Sequence, residues 1–202
     1  ARAVPIYQTS SYVFGDTDEA ANLFALQTFG HIYSRISNPT VAAFEERVAS
    51  LEGGLGAIGT SSGQSAEFLT LAALAGQGDH IVASAQLYGG TRTLMEVTLA
   101  RFGVETTFLP EPEAEAVAAA ITPATKAIYV ETIANPSGMI PDFAGLADVA
   151  RANGLPLIVD STMATPYLCR PIEHGADIVL HSVTKFIGGH GTSLGGAIIE
   201  SG

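Results

Sequence analysis

The chain predicts an α/β fold in which a mostly parallel β-sheet carries helices on both faces. Three observations lead there. From about residue 55 onward, short apolar runs alternate with alanine-rich amphipathic stretches. The apolar runs are nearly continuous, as strands buried on both faces require. The 202 residues are 47% hydrophobic and only 14% charged, which is enough apolar material for a sizeable core.

Residues 1–39 gather aromatics and polar turns (Tyr7, Tyr12, Phe14, Phe24, Phe29, Tyr33) with no clear helix or strand period. They read as an N-terminal arm that either clasps the core or reaches a neighbouring subunit, because exposed aromatics need a partner surface. Residues 40–202 form the main domain. A helix over Thr40–Leu51 begins after Pro39 and ends at Gly53-Gly54. Strands are expected at Leu55–Thr60, Asp79–Ser84, Val104–Leu109, Lys126–Glu131, Leu155–Asp160, Asp177–His181 and Leu194–Ile199. Helices are expected between them at Gln64–Ala75, Thr91–Arg101, Glu113–Ile121 and Phe143–Asn153. Asp142 is placed to cap the last helix and Gly154 to stop it. No internal repeat interrupts the series.

The bulk chemistry narrows the function classes. A net charge of -11 opposes nonspecific binding to nucleic acid or to an anionic membrane. One cysteine, Cys169, allows no intramolecular disulfide and fits a cytoplasmic protein. No apolar run approaches the ~18–20 residues of a membrane span. The N-terminus has no apolar signal-peptide centre and no initiator Met, which reads as processing or truncation.

The most informative stretch is Asp177–Lys185, an apolar strand ending in Ser182-Val183-Thr184-Lys185 and followed by a glycine-rich turn. Upstream, Leu157-Ile158-Val159-Asp160 is a second apolar run that ends in a carboxylate. Ligands of parallel sheets gather beyond the strand C-termini. An amine, a carboxylate and hydroxyls at that edge suit pyridoxal 5'-phosphate. This cofactor needs a lysine for its Schiff base, an acid at its ring nitrogen and donors for its phosphate. Alone, a lysine after a strand is ordinarily solvated and an aspartate there ordinarily caps a helix. Their conjunction favours the functional reading.

Ser61-Ser62-Gly63-Gln64 lies between a strand and a helix, where free N–H groups can meet phosphate oxygens; an ordinary serine cap is the plainer alternative. Tyr88, before Gly89-Gly90-Thr91, either stacks on a cofactor ring or packs over the sheet. His174, His181 and His190 have neither zincin spacing nor a cysteine cluster, so no metal site is expected. Cys169, in an apolar run, reads as a packed thiol.

These segments resemble the pyridoxal-phosphate enzymes of cysteine and methionine metabolism, the trans-sulfuration family. The matching stretches are Tyr33-Ser34-Arg35, Asn38-Pro39-Thr40, Ser61-Ser62-Gly63, Tyr88-Gly89-Gly90-Thr91, Glu131 to Pro136, Val159 to Thr162 and His181 to Lys185. Within the family, Phe24 to Arg35 and Lys185 to Ser193 look most like its O-acetylhomoserine sulfhydrylase branch. The resemblance implies the aspartate-aminotransferase-like fold, fold type I, whose large domain has a seven-stranded sheet with one antiparallel strand.

It implies Lys185 as the Schiff-base lysine, Asp160 at the ring nitrogen and Tyr88 on the ring. Gly63, Gln64, Ser182 and Thr184 would hold the phosphate, and Asn135 would lie near the ring oxygen. Tyr33 and Arg35 would reach the phosphate of a neighbouring subunit in a homo-oligomer, a tetramer built from dimers. The implied reaction is γ-replacement on O-acetyl-L-homoserine by sulfide or a thiol, giving homocysteine or methionine plus acetate. Cystathionine γ-synthase, methionine γ-lyase and an inactive cofactor-binding fragment are the alternatives. The lyase ranks lower because it carries Cys where this chain has Gly90. Ser161 and Met163 depart from the Asn and Phe of many relatives. The resemblance further implies a missing C-terminal small domain, on the order of 200 residues by the usual domain size, holding the arginine for the substrate carboxylate.

Overall fold

Apolar runs that pair on both edges must find neighbours, and here they form a single seven-stranded sheet in the order β1-β7-β6-β5-β4-β2-β3. The strands are β1 Gly56–Thr60, β2 His80–Ser84, β3 Glu105–Leu109, β4 Thr125–Glu131, β5 Leu157–Asp160, β6 Ile178–Ser182 and β7 Gly196–Glu200. Each falls within two residues of its expected place. The β2–β3, β2–β4, β4–β5 and β5–β6 pairs are parallel, and β7 runs antiparallel to both β1 and β6. The mostly parallel sheet with one reversed strand is therefore borne out.

The computed structural model describes residues 2–202. It contains two compact units that meet at Arg47/Val48. In the first, residues 17–24 form helix α1 (Thr17–Phe24), where the sequence reading expected no regular element. The missed signal is a start box. Asp16 accepts from the Glu19 amide at 2.7 Å, and the Glu19 carboxylate reaches back to the Gly15 amide. Helix α2 (Pro39–Glu52) starts where Asn38 accepts from the Thr40 amide at 2.9 Å.

The second unit holds the sheet, with the long helices α3 (Gly63–Leu74) and α6 (Phe143–Asn153) and the short α5 (Ala114–Ala120). Asp142 caps α6 through the Gly145 amide, and Gly154 ends it in a left-handed conformation (φ 63°), both as expected. The helix expected at Thr91–Arg101 is composite. A short α4 (Gly89–Thr93) widens into a π turn at Leu94–Thr98 and tightens to a 3-10 turn at Leu99–Phe102. The insertion keeps Leu94, Met95 and Leu99 all buried against the sheet. A four-residue helix, α7 (Thr165–Leu168), follows β5. The core lies under α3, where Leu71, Ile81, Tyr129, Ile158 and Leu180 are fully buried.

A second buried feature fixes β6 from below. His181, on the face opposite Ser182, bonds through Nε2 to Glu52 at the end of α2, and both side chains are wholly buried. Among the described residues no helix is long and apolar enough to cross a membrane.

Candidate active site

The C-terminal ends of β4, β5 and β6 present Glu131, Asp160 and Ser182 at one edge of the sheet. Because β7 is reversed, β1 runs in the same direction as β6, so Thr60 and Ser182 both face Gly196 across it. The loop after β1 therefore delivers the N-terminus of α3 to the same edge. Its approach is close: a Cβ on Gly63 would sit 2.6 Å from the Ser182 Cβ. Glycine is required there by space alone. Ser62 caps α3 by accepting from the Ser65 amide at 3.1 Å, leaving the Gly63 and Gln64 amides free of that bond.

A cleft of about 620 Å³ opens at this edge. Its walls include Gly63, Gln64, Tyr88, Asn135, Asp160, Ser182, Thr184 and Lys185, eight of the ten residues singled out from sequence. Tyr33 and Arg35 stand in the N-terminal unit, where the Arg35 guanidinium lies 5.4 Å from the Tyr33 ring centroid. Lys185 is exposed on the turn after β6. The Thr184 hydroxyl donates to the Gly195 carbonyl at 3.3 Å and accepts from the Gly195 amide at 3.1 Å, which pins that turn.

The supporting residues were not read from the sequence. Thr162 donates its amide to Asp160 Oδ1 at 2.8 Å, and its hydroxyl accepts from the Ser182 amide at 2.7 Å. One threonine thus ties the acid to the strand that leads to Lys185. Glu131 accepts from the Tyr88 amide at 2.7 Å and from the Asn135 amide at 2.9 Å, clamping the two loops that carry those residues. Burial pushes the Glu131 carboxyl up to about 7, the Asp160 charge adds to this, and the two amides hold it back. Glu67, on the same face of α3 as Gln64, accepts from Thr91 at 2.9 Å and from the Gln64 side chain at 2.6 Å. Burial and then Asp160 raise Glu67 from 4.5 to about 8.

The model of the Cys/Met metabolism PLP-dependent enzyme family matches residues 1–202, so the chain belongs to that family. It is 57% identical over 201 residues to a sulfhydrylase of Fusarium oxysporum f. sp. lycopersici, covering 99% of this chain and 46% of that protein. It is 52% identical over 202 residues to the O-acetyl-L-homoserine sulfhydrylase of Leptospira meyeri, covering 100% of this chain and 46% of that one. The chain thus spans about half the length of the curated relatives it matches. Among solved structures, a Campylobacter jejuni protein assigned as an O-acetylhomoserine (thiol)-lyase superposes with a TM-score of 0.96 at 41% identity. That match covers all of this chain and 50% of the other, which carries an N'-pyridoxyl-lysine-5'-monophosphate.

Proposed function

We propose that the full-length protein uses pyridoxal phosphate, held in this cleft, to replace the acetoxy group of O-acetyl-L-homoserine by sulfide or a thiol. The observation that carries the reading is the meeting of Lys185, Asp160 and the α3 N-terminus around one cleft. The names of the relatives supply the substrate: an O-acetyl-L-homoserine sulfhydrylase and a homocysteine synthase are 52% and 55% identical.

The donor set suits the cofactor. A cradle that a Cβ at Gly63 would fill, two helix-terminal amides and the Ser182 hydroxyl match a phosphate. The Thr184 hydroxyl, which donates to the Gly195 carbonyl at 3.3 Å, would donate to a phosphate oxygen instead. When bound, pyridoxal phosphate supplies a carbonyl carbon for amine exchange and a ring that accepts the electrons released at the substrate's α- and β-carbons.

Each residue then has a task. Lys185 would hold the cofactor, and its Nζ, once free, would take the substrate's α-proton. Asp160 would partner the ring nitrogen and keep a proton there. The Tyr88 ring would cover the cofactor, and its hydroxyl would move a proton as acetate leaves. Asn135 would lie near the ring oxygen and orient it. The γ-carbon–oxygen bond breaks, a γ-carbon–sulfur bond forms, and the sulfur's proton balances the departing acetate. Tyr33 and Arg35 would grip the phosphate of a neighbouring subunit, the guanidinium offering a fixed planar fork. The working form is a cytoplasmic homo-oligomer, a tetramer built from dimers.

The test is acetate release by the full-length protein from O-acetyl-L-homoserine. Release that requires sulfide, with homocysteine identified by mass, is expected. Turnover with cysteine alone, or ammonia release without any added thiol, would replace the reading by cystathionine γ-synthase or methionine γ-lyase. Borohydride fixation and peptide mapping should place the cofactor on Lys185. A modified peptide containing Lys126 overturns that assignment.

A further inference from the structure

Glu131 ends β4, the strand that lies between β5 and β2 in the sheet. On one side it stands in register with Asp160. On the other runs the chain from β2 to α4, which carries Tyr88. The Glu131 side chain lines the cleft yet is only 6% exposed, a position that acids avoid without strong partners. Its two oxygens are divided between two loops. Oε1 accepts from the Tyr88 amide at 2.7 Å, and Oε2 accepts from the Asn135 amide at 2.9 Å. The first bond spans 43 residues of chain and the second only 4, so a distant loop is tied to a local one.

This division needs a carboxylate. An ionised carboxyl has two accepting oxygens, whereas a carboxamide or a protonated acid of the same shape turns one of them into a donor. A donor facing an amide N–H sets two buried protons against each other, so one loop must let go. Tyr88 opens α4 without a side-chain cap, and its half-exposed ring leans over Gly90, where a Cβ would sit 2.5 Å from the Tyr88 Cε1. The Glu131 bond ties this helix start to the sheet. The titratable groups that face Glu131 are acidic: Asp160 from β5, Glu67 from α3 and Tyr129 from β4 itself. Lys185, from the turn after β6, lines the same cleft. Burial, opposed by the Tyr88 amide and reinforced by Asp160, brings the Glu131 carboxyl up to about 7. The carboxylate is therefore complete above that pH and takes its proton below it.

We propose that Glu131 is a positioning residue: its carboxylate, one oxygen to each loop, sets Tyr88 and Asn135 as a unit at the cleft, and a single proton on it releases one of them. The role in turnover rests on the reading of Tyr88 as the group that moves a proton. Tyr88 and Asn135, far apart in sequence, then share one main-chain anchor and shift together when it changes.

The test uses the full-length protein, first ligand-free, perdeuterated and labelled with 15N-tyrosine and 15N-asparagine. The Tyr88 and Asn135 amide signals are identified by their loss from Tyr88→Phe and Asn135→Ser. Both should lie at low field when Glu131 is ionised and should shift with one shared midpoint near pH 7. Glu131→Gln should abolish the shared titration and open one of the two amides to solvent exchange at least about tenfold faster. Different midpoints for the two amides, or no titration of either between about pH 5 and 8, overturn the latch. The second arm is a double-substitution cycle on kcat for sulfide-dependent acetate release. Glu131→Leu removes both bonds and should lower kcat by about tenfold, the usual effect of losing a hydrogen bond to a charged group. In the Tyr88→Phe background the same change should cost less than about threefold, because Glu131 acts through Tyr88. Equal losses in the two backgrounds overturn the positioning role. A Tyr88→Phe protein with unchanged kcat overturns the Tyr88 reading and the role in turnover with it, whereas the paired amide titration decides the latch in either case.

Discussion

Replacing Gly63 by alanine tests the phosphate cradle directly. The new Cβ would lie 2.6 Å from the Cβ and 2.9 Å from the Cα of Ser182. Carbon atoms in ordinary contact are about 3.5–4.0 Å apart, so the N-terminus of α3 must withdraw from β6 by roughly 1 Å. No rotamer relieves the clash, because both Ser182 atoms are fixed by the backbone of a strand paired on each side. Overpacking of this kind costs about 1–3 kcal/mol, partly offset by the helix preference of alanine over glycine, worth about 1 kcal/mol. The expected loss of stability in urea is therefore about 0–2 kcal/mol. The helix-terminal amides also move off the phosphate position. Losing one charge-assisted bond should weaken pyridoxal phosphate by roughly ten- to a hundredfold in a fluorescence titration. Gly89→Ala is the control, since a Cβ at the first position of α4 meets nothing within 4 Å. Should Gly63→Ala match Gly89→Ala within twofold in affinity and show the same urea midpoint, the cradle argument is wrong.

Three further outcomes follow from named contacts. Glu67 has a folded-state value raised from 4.5 to about 8, so its contribution to stability is complete below pH 4.5 and is lost as pH rises to about 8. Glu67→Gln should flatten urea stability across that window, where the slope from this group approaches about 1.4 kcal/mol per pH unit, and an unchanged slope refutes the shift. Glu52→Ala leaves His181 buried without its partner and should cost about 3 kcal/mol in urea. Glu52→Leu with His181→Phe should recover most of that loss, and no recovery would show that packing rather than the polar bond matters. Mixing full-length Arg35→Ala with full-length Lys185→Ala should restore some activity through hybrid sites, each substituted protein alone being weak or dead. Activity no greater than the sum of the two, with subunit exchange proven by mass, removes the shared-site reading.

The sheet was legible because its strands are apolar along their whole length and are punctuated by residues with single meanings, such as Asp142 and Gly154 around α6. Helix α1 escaped notice because its apolar face is short, with Leu23 alone buried, although its start box at Asp16 and Glu19 was present to be read. The π turn at Leu94–Thr98 has no local marker, since the widening serves core packing that a single segment does not reveal. In the site, residues at strand and helix ends were readable from type and place. Glu67 and Glu131 were not. Each looks like a solvated charge until Asp160, Thr91 or Tyr88 is brought beside it by chain far away in sequence.

The reversal of β7 has a consequence for how the chain is made. Among the described residues β1 pairs with β7 and with no other strand, so it waits on the ribosome until residues 196–200 have emerged. At bacterial-to-eukaryotic translation speeds that wait is on the order of 10 seconds. Throughout it, the β1 segment offers both edges to any passing strand, with Leu55 and Ile58 exposed even after folding. The α3 end of the cradle is therefore among the last parts to be locked in place, and nascent chains should attract chaperones or the cofactor itself at that late moment.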